Sequence, residues 1–189
     1  ALRSGDFSIA DVLASRPLAD PITALQSRPL GDGATVMLLA SEERARQLTD
    51  KPVWIQGLAN ICDGYFLGDR DLAEAEVMTM AAQKAYRMAG ITDPRKEVDV
   101  FEVTDEFSYQ ELMTYEGLGL CDPGGGFRFL DSGASARGGR NPVNSSGGAL
   151  AGCCHTTIGI QRIAEIFTQL RGEAGARQVD GARTGLAQL

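Results

Sequence analysis

Two cysteines and the only histidine of the chain lie together directly after a glycine pair, in the segment 147–155, which reads GGALAGCCH. Glycine backbone lets a ligand approach without interfering side chains. A helix start nearby offers N–H groups and partial positive charge to a phosphate or an oxyanion. Such a position lowers a thiol pKa, and an imidazole suits general-base chemistry. We therefore identify Cys153 and His155 as candidate acid–base groups. The candidate substrate-binding glycines are Gly147, Gly148 and Gly152.

A second candidate group follows a predicted strand over 98–103, where apolar and acidic residues alternate. Thr104 and Asp105 come directly after it, and site residues commonly follow strands in α/β folds. The alternative is a structural turn that enters a helix from Ser108, with Glu111 completing a capping box. Both interpretations remain open for this pair.

Structural interpretations also remain open for the cysteines and the histidine. Cys153 could be a small packing residue, and His155 could be a satisfied structural residue. Cys154 is expected to be structural. Three adjacent residues point in divergent directions, and Cys62 and Cys121 lack the usual ligand spacing, so we predict no metal site.

These residues must be positioned by alternating strands and helices. We predict helices over 8–14, from 41, over 71–89, 108–117 and 156–171, and strands over 34–40, 53–58, 98–103 and beginning within 177–189. The glycine-rich stretch 121–148 is expected to be a loop. Alternating elements indicate an α/β layered domain in which helices cover a mixed sheet. We expect residues 1–30 to form a linker or loop segment and residues 31–189 to form the domain.

The bulk composition excludes several classes of function. The chain has 189 residues and a formal net charge of -7, which disfavours a broad electrostatic grip on nucleic acid. No apolar run reaches the roughly 20 residues that cross a bilayer, so we predict no membrane association. The four cysteines do not form a disulfide framework, which favours a reduced, cytoplasmic setting.

Several motifs resemble the thiolase superfamily, in particular its sterol-carrier-protein-x and archaeal acetoacetyl-CoA thiolase branch. The two most specific are Val-Asn-x-Ser-Gly-Gly over 143–148 and Gln-Leu-Arg-Gly-x-Ala-Gly-x-Arg-Gln-Val over 169–179. Further similar segments follow in the same order along the chain, at 32–34, 52–57, 103–107 and 116–121. The resemblance implies the second half of a duplicated α/β fold.

The resemblance also implies roles for particular residues. The family's nucleophilic cysteine belongs to the first half, and a Gly-His-Pro histidine activates it. Cys153 occupies that histidine's position here, with His155 two residues later, and Thr104 occupies the position that holds an oxyanion-hole water. Because the chain begins at Ala1 and ends at Leu189, we expect both the nucleophile and the final strands to lie outside it.

The resemblance implies a thiolase-type acyltransferase that cleaves β-ketoacyl-CoA with CoA or condenses two acyl-CoAs, and that is incomplete as this chain alone. Coenzyme A would be a substrate, with no covalently bound cofactor. Expected partners are an N-terminal thiolase half or subunit, a second copy in a dimer, and an OB-fold zinc-ribbon protein. Two alternatives are a thiolase-like retro-aldolase and a non-catalytic half that completes an active partner.

Overall fold

The computed structural model describes Arg3, residues 5–152 and residues 154–189. The helices are α1 (Ile9–Ala14), α2 (Glu42–Leu48), α3 (Glu76–Ala89), α4 (Pro94–Glu97), α5 (Ser108–Gly117), α6 (Gly126–Asp131), α7 (Gly148–Ala151) and α8 (Ile158–Leu170). The strands are β1 (Pro17–Ala19), β2 (Ile22–Thr23), β3 (Val100–Glu102) and β4 (Gly185–Ala187). Short 3₁₀ turns cover 24–26, 67–69, 155–157 and 175–177.

The strand β3 is buried on both faces and defines the layers of the fold. Phe101 faces a cluster that includes Tyr115 of α5 and Phe129 of α6, whose rings lie 4.9 Å apart. Val100 faces the opposite way and packs with Ile166 of α8. A strand exposes alternate residues to opposite faces, so helices cover both sides of β3. The predicted layered α/β class is confirmed.

Two small sheets are present among the described residues. The strands β1 and β2 pair antiparallel, whereas β3 and β4 pair parallel, with Phe101 opposite Leu186. The predicted strand within 177–189 therefore exists. No helix in the described part of the chain has the length and apolar character needed to cross a membrane.

Two predicted strands are not observed. Residues 34–40 and 53–58 pair with no strand among the described residues, and Val36 is 94% exposed. An apolar run shows that a segment needs burial, but a strand also needs a hydrogen-bonded neighbour and a covering layer. Gly57 nevertheless lies close against α3, where an added Cβ would come within 2.3 Å of the Ala85 carbonyl oxygen.

Several helix boundaries also differ from the sequence prediction. The helix α3 begins at Glu76 rather than Asp71, and α6 lies inside the stretch expected to be a loop. Phe107, not Ser108, precedes α5, and its N–H donates to the Gln110 side chain at 3.0 Å. The predicted helix over 156–171 begins as a 3₁₀ turn at His155–Thr157 before α8.

Candidate active site

The turn that precedes α7 is fastened to β3. The Asn144 side-chain oxygen accepts from the Val103 N–H at 2.8 Å, and the Asn144 N–H donates to the Phe101 carbonyl at 2.9 Å. Asn144 adopts a φ of 51°, a left-handed conformation that asparagine tolerates better than most residues. These bonds bring the glycine pair to the residues that follow β3, although about forty positions separate the two motifs in sequence.

Asp105 holds this turn in place through hydrogen bonds to its backbone. Its side chain is 1% exposed, and its two carboxylate oxygens accept from the N–H groups of Ala149 at 2.5 Å and Leu150 at 3.4 Å. A Cβ on Gly148 would lie 2.2 Å from Asp105 Oδ2. Glycine is therefore required at this position by the protein's own carboxylate.

These contacts close one part of the glycine segment to a ligand, because the N–H groups of Ala149 and Leu150 in the short helix α7 are occupied by Asp105. The helix start predicted near Thr156 is a separate one, and it begins as the 3₁₀ turn His155–Thr157. The φ angles of Gly147 and Gly148, 96° and 66°, are accessible mainly to glycine, so the turn itself requires these residues. Both glycines stay candidate contacts for a thioester.

Burial controls the charge of Asp105. It raises the pKa of this carboxyl from 3.8 to about 7, with a further increase from the nearby Glu111 carboxylate. The two backbone N–H groups and Arg162 act in the opposite direction, and the effect of burial outweighs them. A carboxyl that titrates near neutral pH is typical of functional sites, and structural networks produce it too.

The buried ion pair Glu102–Arg162 is hydrogen-bonded to the turn through Ser146. Arg162 of α8 donates to Glu102 Oε2 at 3.1 Å, with side-chain exposures of 5% and 0%. Ser146 also binds this carboxylate, through its N–H at 3.0 Å and its hydroxyl at 2.6 Å. Burial raises the Glu102 pKa, and Ser146 and Arg162 lower it. The network links β3, α8 and the turn.

Sequence reasoning missed this pair, although a signal was present. Glu102 lies two residues after Val100, on the same strand face. Arg162 lies four residues from both Ile158 and Ile166, on the apolar face of α8. A charged residue at a core-facing position of each element predicts that the two meet, since isolated buried charges are costly.

Thr104 is held by the C-terminal segment. Its N–H donates to Gln188 Oε1 at 3.0 Å, and its hydroxyl contacts the Gln188 carbonyl at 3.3 Å. The structure thus brings Thr104, Asp105, Gly147 and Gly148 to one end of β3.

His155 belongs to a different set of contacts. Its Nδ1 lies 2.8 Å from Arg28 Nη2 and 3.1 Å from Glu106 Oε1. Arg28 also pairs with Glu106 through Nε at 3.0 Å. Neither Arg28 nor Glu106 was identified from the sequence, because the contact between Arg28 and His155 joins positions 127 residues apart.

The cysteines divide between described and undescribed positions. Cys153 lies outside the described residues. The Cys154 sulfur lies 3.5 Å from the Gly33 carbonyl oxygen, and hydrogen bonds from Thr157 and Thr156 lower the pKa of its thiol. Gly152 follows α7, and its N–H donates to the Ala149 carbonyl at 3.1 Å. Within the described positions, no group of three His, Cys, Asp or Glu residues is placed to hold a metal ion.

The chain belongs to the thiolase C-terminal domain-like family, whose sequence model matches residues 61–189. An acetyl-CoA acetyltransferase of Methanothermobacter thermautotrophicus is 37% identical over 181 residues, covering 95% of this chain and 47% of that protein. Human sterol carrier protein 2 is 37% identical over 192 residues, covering 96% and 34%. The benzoylsuccinyl-CoA thiolase subunit BbsB of Thauera aromatica is 33% identical over 178 residues, covering 93% and 46%.

A solved structure agrees at the level of the fold. An Ltp2–ChsH2(DUF35) aldolase superposes with a TM-score of 0.79 at 24% identity, covering 93% of this chain and 46% of that chain. The present chain thus spans about half the length of that chain and of the acetyltransferase, and a third of sterol carrier protein 2. The predicted thiolase resemblance is confirmed.

Proposed function

We propose that this chain supplies the C-terminal part of the active site of a thiolase-type acyltransferase that acts on acyl-CoA thioesters. The observation that carries the proposal is the convergence of Thr104 and Asp105 with Gly147 and Gly148 at one end of β3. Relatives named as an acetyl-CoA acetyltransferase and a benzoylsuccinyl-CoA thiolase subunit support an acyl-CoA substrate. Coenzyme A takes part as a substrate.

The proposed reaction is cleavage of a β-ketoacyl-CoA by CoA, or its reverse. A cysteine thiolate from an N-terminal half or subunit adds to the keto carbonyl. The adjacent carbon–carbon bond then breaks, and its electron pair leaves as an acetyl-CoA enolate that takes up a proton. Free CoA finally displaces the acyl group from the cysteine and returns the thiol.

The residues of this chain would assist these steps in distinct ways. The backbone of Gly147, Gly148 and Gly152 would flank the thioester, Thr104 would hold a water at the oxyanion, and Asp105 would hold the glycine turn in position. Cys153 or His155 would move protons. Because Arg28 occupies the Nδ1 lone pair of a neutral His155, this histidine would accept a proton there only after Arg28 withdraws.

The occupied lone pair favours one alternative, a carbon–carbon lyase that works by retro-aldol cleavage. That chemistry needs no acyl-cysteine, so it does not require the family's histidine at the position of Cys153. The fold neighbour described as an aldolase is consistent with it.

Partners and organisation are part of the same proposal. We propose an N-terminal thiolase half or subunit, a dimer, a cytoplasmic location, and a domain over 31–189 preceded by a linker segment. The fold neighbour is described together with a DUF35 protein, which supports an OB-fold zinc-ribbon partner for this chain.

The test is a trapping experiment on the protein purified with the subunits that accompany it. With acetoacetyl-CoA and CoA, a thiolase consumes CoA, forms acetyl-CoA and carries an acetyl-cysteine that mass spectrometry detects after a quench. A lyase releases a carbonyl product from its own substrate, consumes no CoA and shows no adduct. If the complete assembly shows neither activity, both proposed reactions are refuted, and the non-catalytic role is the one that is left.

The role of Thr104 is tested in the same assay. Thr104→Val should lower kcat by about tenfold or more, because the oxyanion water loses its support. Thr168→Val is the matched control, since the Thr168 hydroxyl only returns to its own helix at the Ala164 carbonyl. Equal rates for the two variants would remove Thr104 from the site.

A further inference from the structure

Three segments that are distant in sequence meet at Arg28, Glu106 and His155. The Arg28 N–H donates to the Glu106 carbonyl at 2.8 Å, while its guanidinium pairs with the Glu106 side chain at 3.0 Å and His155 Nδ1 at 2.8 Å. Glu106 directly follows Asp105, so the cluster borders the candidate active site.

The contact with Arg28 determines which nitrogen of a neutral His155 carries the proton. A guanidinium only donates hydrogen bonds, so Nδ1 must accept and Nε2 must carry the hydrogen. An ionised Glu106 is an acceptor as well, so its 3.1 Å approach to Nδ1 is not a hydrogen bond in this state. His155, whose side chain is 64% exposed, therefore presents an N–H donor at Nε2.

An open cleft of about 490 Å³ lies beside this cluster. Its walls include three arginines and one carboxylate, Arg3, Arg16, Arg28 and Glu106, in a chain whose net charge is -7. Arg3 donates to several backbone carbonyls, such as that of Ser27 at 2.9 Å. Arg16 is exposed, and Arg28 Nη1 is buried without a hydrogen-bond partner in the described part of the chain.

We propose that Arg28 and Arg16, which line this cleft, bind an oxyanion of the substrate together with His155, which contacts Arg28 beside it. The inference rests on the proposed acyl-CoA function and deepens it by naming the chemistry: a carboxylate on the acyl group or a phosphate of CoA. Arg16 and Arg28 both line the cleft, and His155 contacts Arg28 at its edge. Glu106, the carboxylate among the described lining residues, is already paired with Arg28. The apolar part of the ligand would lie on Leu18, Pro29 and Phe107.

A direct test is NMR on the ¹⁵N-labelled protein at mildly alkaline pH, with the His155 imidazole assigned by the loss of its signals in a His155→Gln variant. The imidazole should show hydrogen on Nε2, and it should shift saturably when glutarate or pyrophosphate is titrated. Arg28→Gln should weaken this binding about tenfold, and Arg16→Gln should weaken it less. Arg95→Gln should leave the affinity unchanged, because Arg95 lines a different pocket. Binding without saturation, equal affinity in all variants, or hydrogen on Nδ1 would overturn the proposal.

Because an unfolded Arg28→Gln variant would also lose binding, its circular dichroism and unfolding transition are compared with wild type. The exposed Arg16→Gln provides the second, independent variant. If Arg28→Gln unfolds, unchanged pyrophosphate affinity in Arg16→Gln would count against the site.

A second set of titrations distinguishes the two sources of the oxyanion. If the acyl carboxylate is bound, glutaryl-CoA should bind about tenfold tighter than acetyl-CoA, and Arg28→Gln should abolish the difference. If a CoA phosphate is bound, CoA, acetyl-CoA and glutaryl-CoA should displace pyrophosphate equally. Failure of all three to compete would refute the substrate assignment. None of these measurements needs turnover, so an absent thiolase reaction with retained anion binding would refute the proposed reaction alone.

Discussion

The Gly148→Ala substitution isolates the contact that shapes the candidate site. Gly148 has a φ of 66°, and an added Cβ would lie 2.2 Å from Asp105 Oδ2 and 2.7 Å from its Cγ, far inside ordinary van der Waals contact. The carboxylate is fixed by the N–H groups of Ala149 and Leu150. It therefore has to move and release them, or the turn has to lift away from β3.

The magnitude follows from two contributions to the free energy of unfolding. A left-handed conformation costs an alanine about 1–2 kcal/mol relative to glycine. Leaving buried N–H groups without their acceptor costs roughly 1–3 kcal/mol more. We expect Gly148→Ala to lower the unfolding free energy by about 2–5 kcal/mol, which corresponds to a fall in Tm of about 10 °C for a chain of this size.

Gly172→Ala is the matched control, because Gly172 has a φ of 74° and open space around its Cα. Urea unfolding followed by circular dichroism should show only the cost of about 1–2 kcal/mol for this variant. In an Asp105→Ala background, the destabilisation caused by Gly148→Ala should fall to the same value, since the clashing carboxylate is gone. If Gly148→Ala and Gly172→Ala are equally destabilised in the wild-type background, the carboxylate does not constrain the turn.

Two further predictions concern the buried charges. The pKa of Asp105 is raised from 3.8 to about 7, so the folded state holds the proton more tightly, and stability is lost as pH rises through this window, by roughly 4 kcal/mol in total. Asp105→Asn removes the titration, so its unfolding free energy relative to wild type should improve as the pH rises from about 4 to about 7. A pH-independent difference would contradict the assignment. Arg162→Met leaves Glu102 buried without its cation and should cost about 3–5 kcal/mol in urea unfolding. Lys96→Met is the control, because it breaks the exposed Lys96–Asp93 pair and should cost less than about 1 kcal/mol. A similarly small loss of stability in Arg162→Met would show that the Arg162–Glu102 pair is not buried.

Local signals in the sequence predicted several elements correctly. Ser8 and Ser41 cap the helices α1 and α2 as expected, and Gly90 ends α3 in a left-handed conformation. Capping depends on residues within one turn of the helix end, which a sequence displays directly. The strand β3 was also predicted, from the apolar residues that alternate around it.

Features that depend on distant partners were not predictable in the same way. The segment 34–40 has the composition of a buried strand, yet Leu38 is 80% exposed. An apolar composition indicates that a segment tends to be buried, but it does not identify the helix or strand that covers it. The contacts of Arg28 with Glu106 and His155 likewise depend on how three remote segments meet, and nothing near Arg28 in the sequence marks it as a site residue.

The glycine pair gives the clearest case of a correct motif with an incomplete explanation. The sequence indicates that glycine at 147 and 148 allows the approach of a ligand, whereas the structure accounts for both residues by contacts within the protein. A Cβ on Gly147 would lie 2.7 Å from the Ala151 Cβ, and one on Gly148 would meet Asp105. The shape of the turn is thus determined by the carboxylate behind it and the helix that follows. Under the proposed function, Asp105 would act as a positioning residue, because its carboxylate shapes the surface on which the thioester would lie.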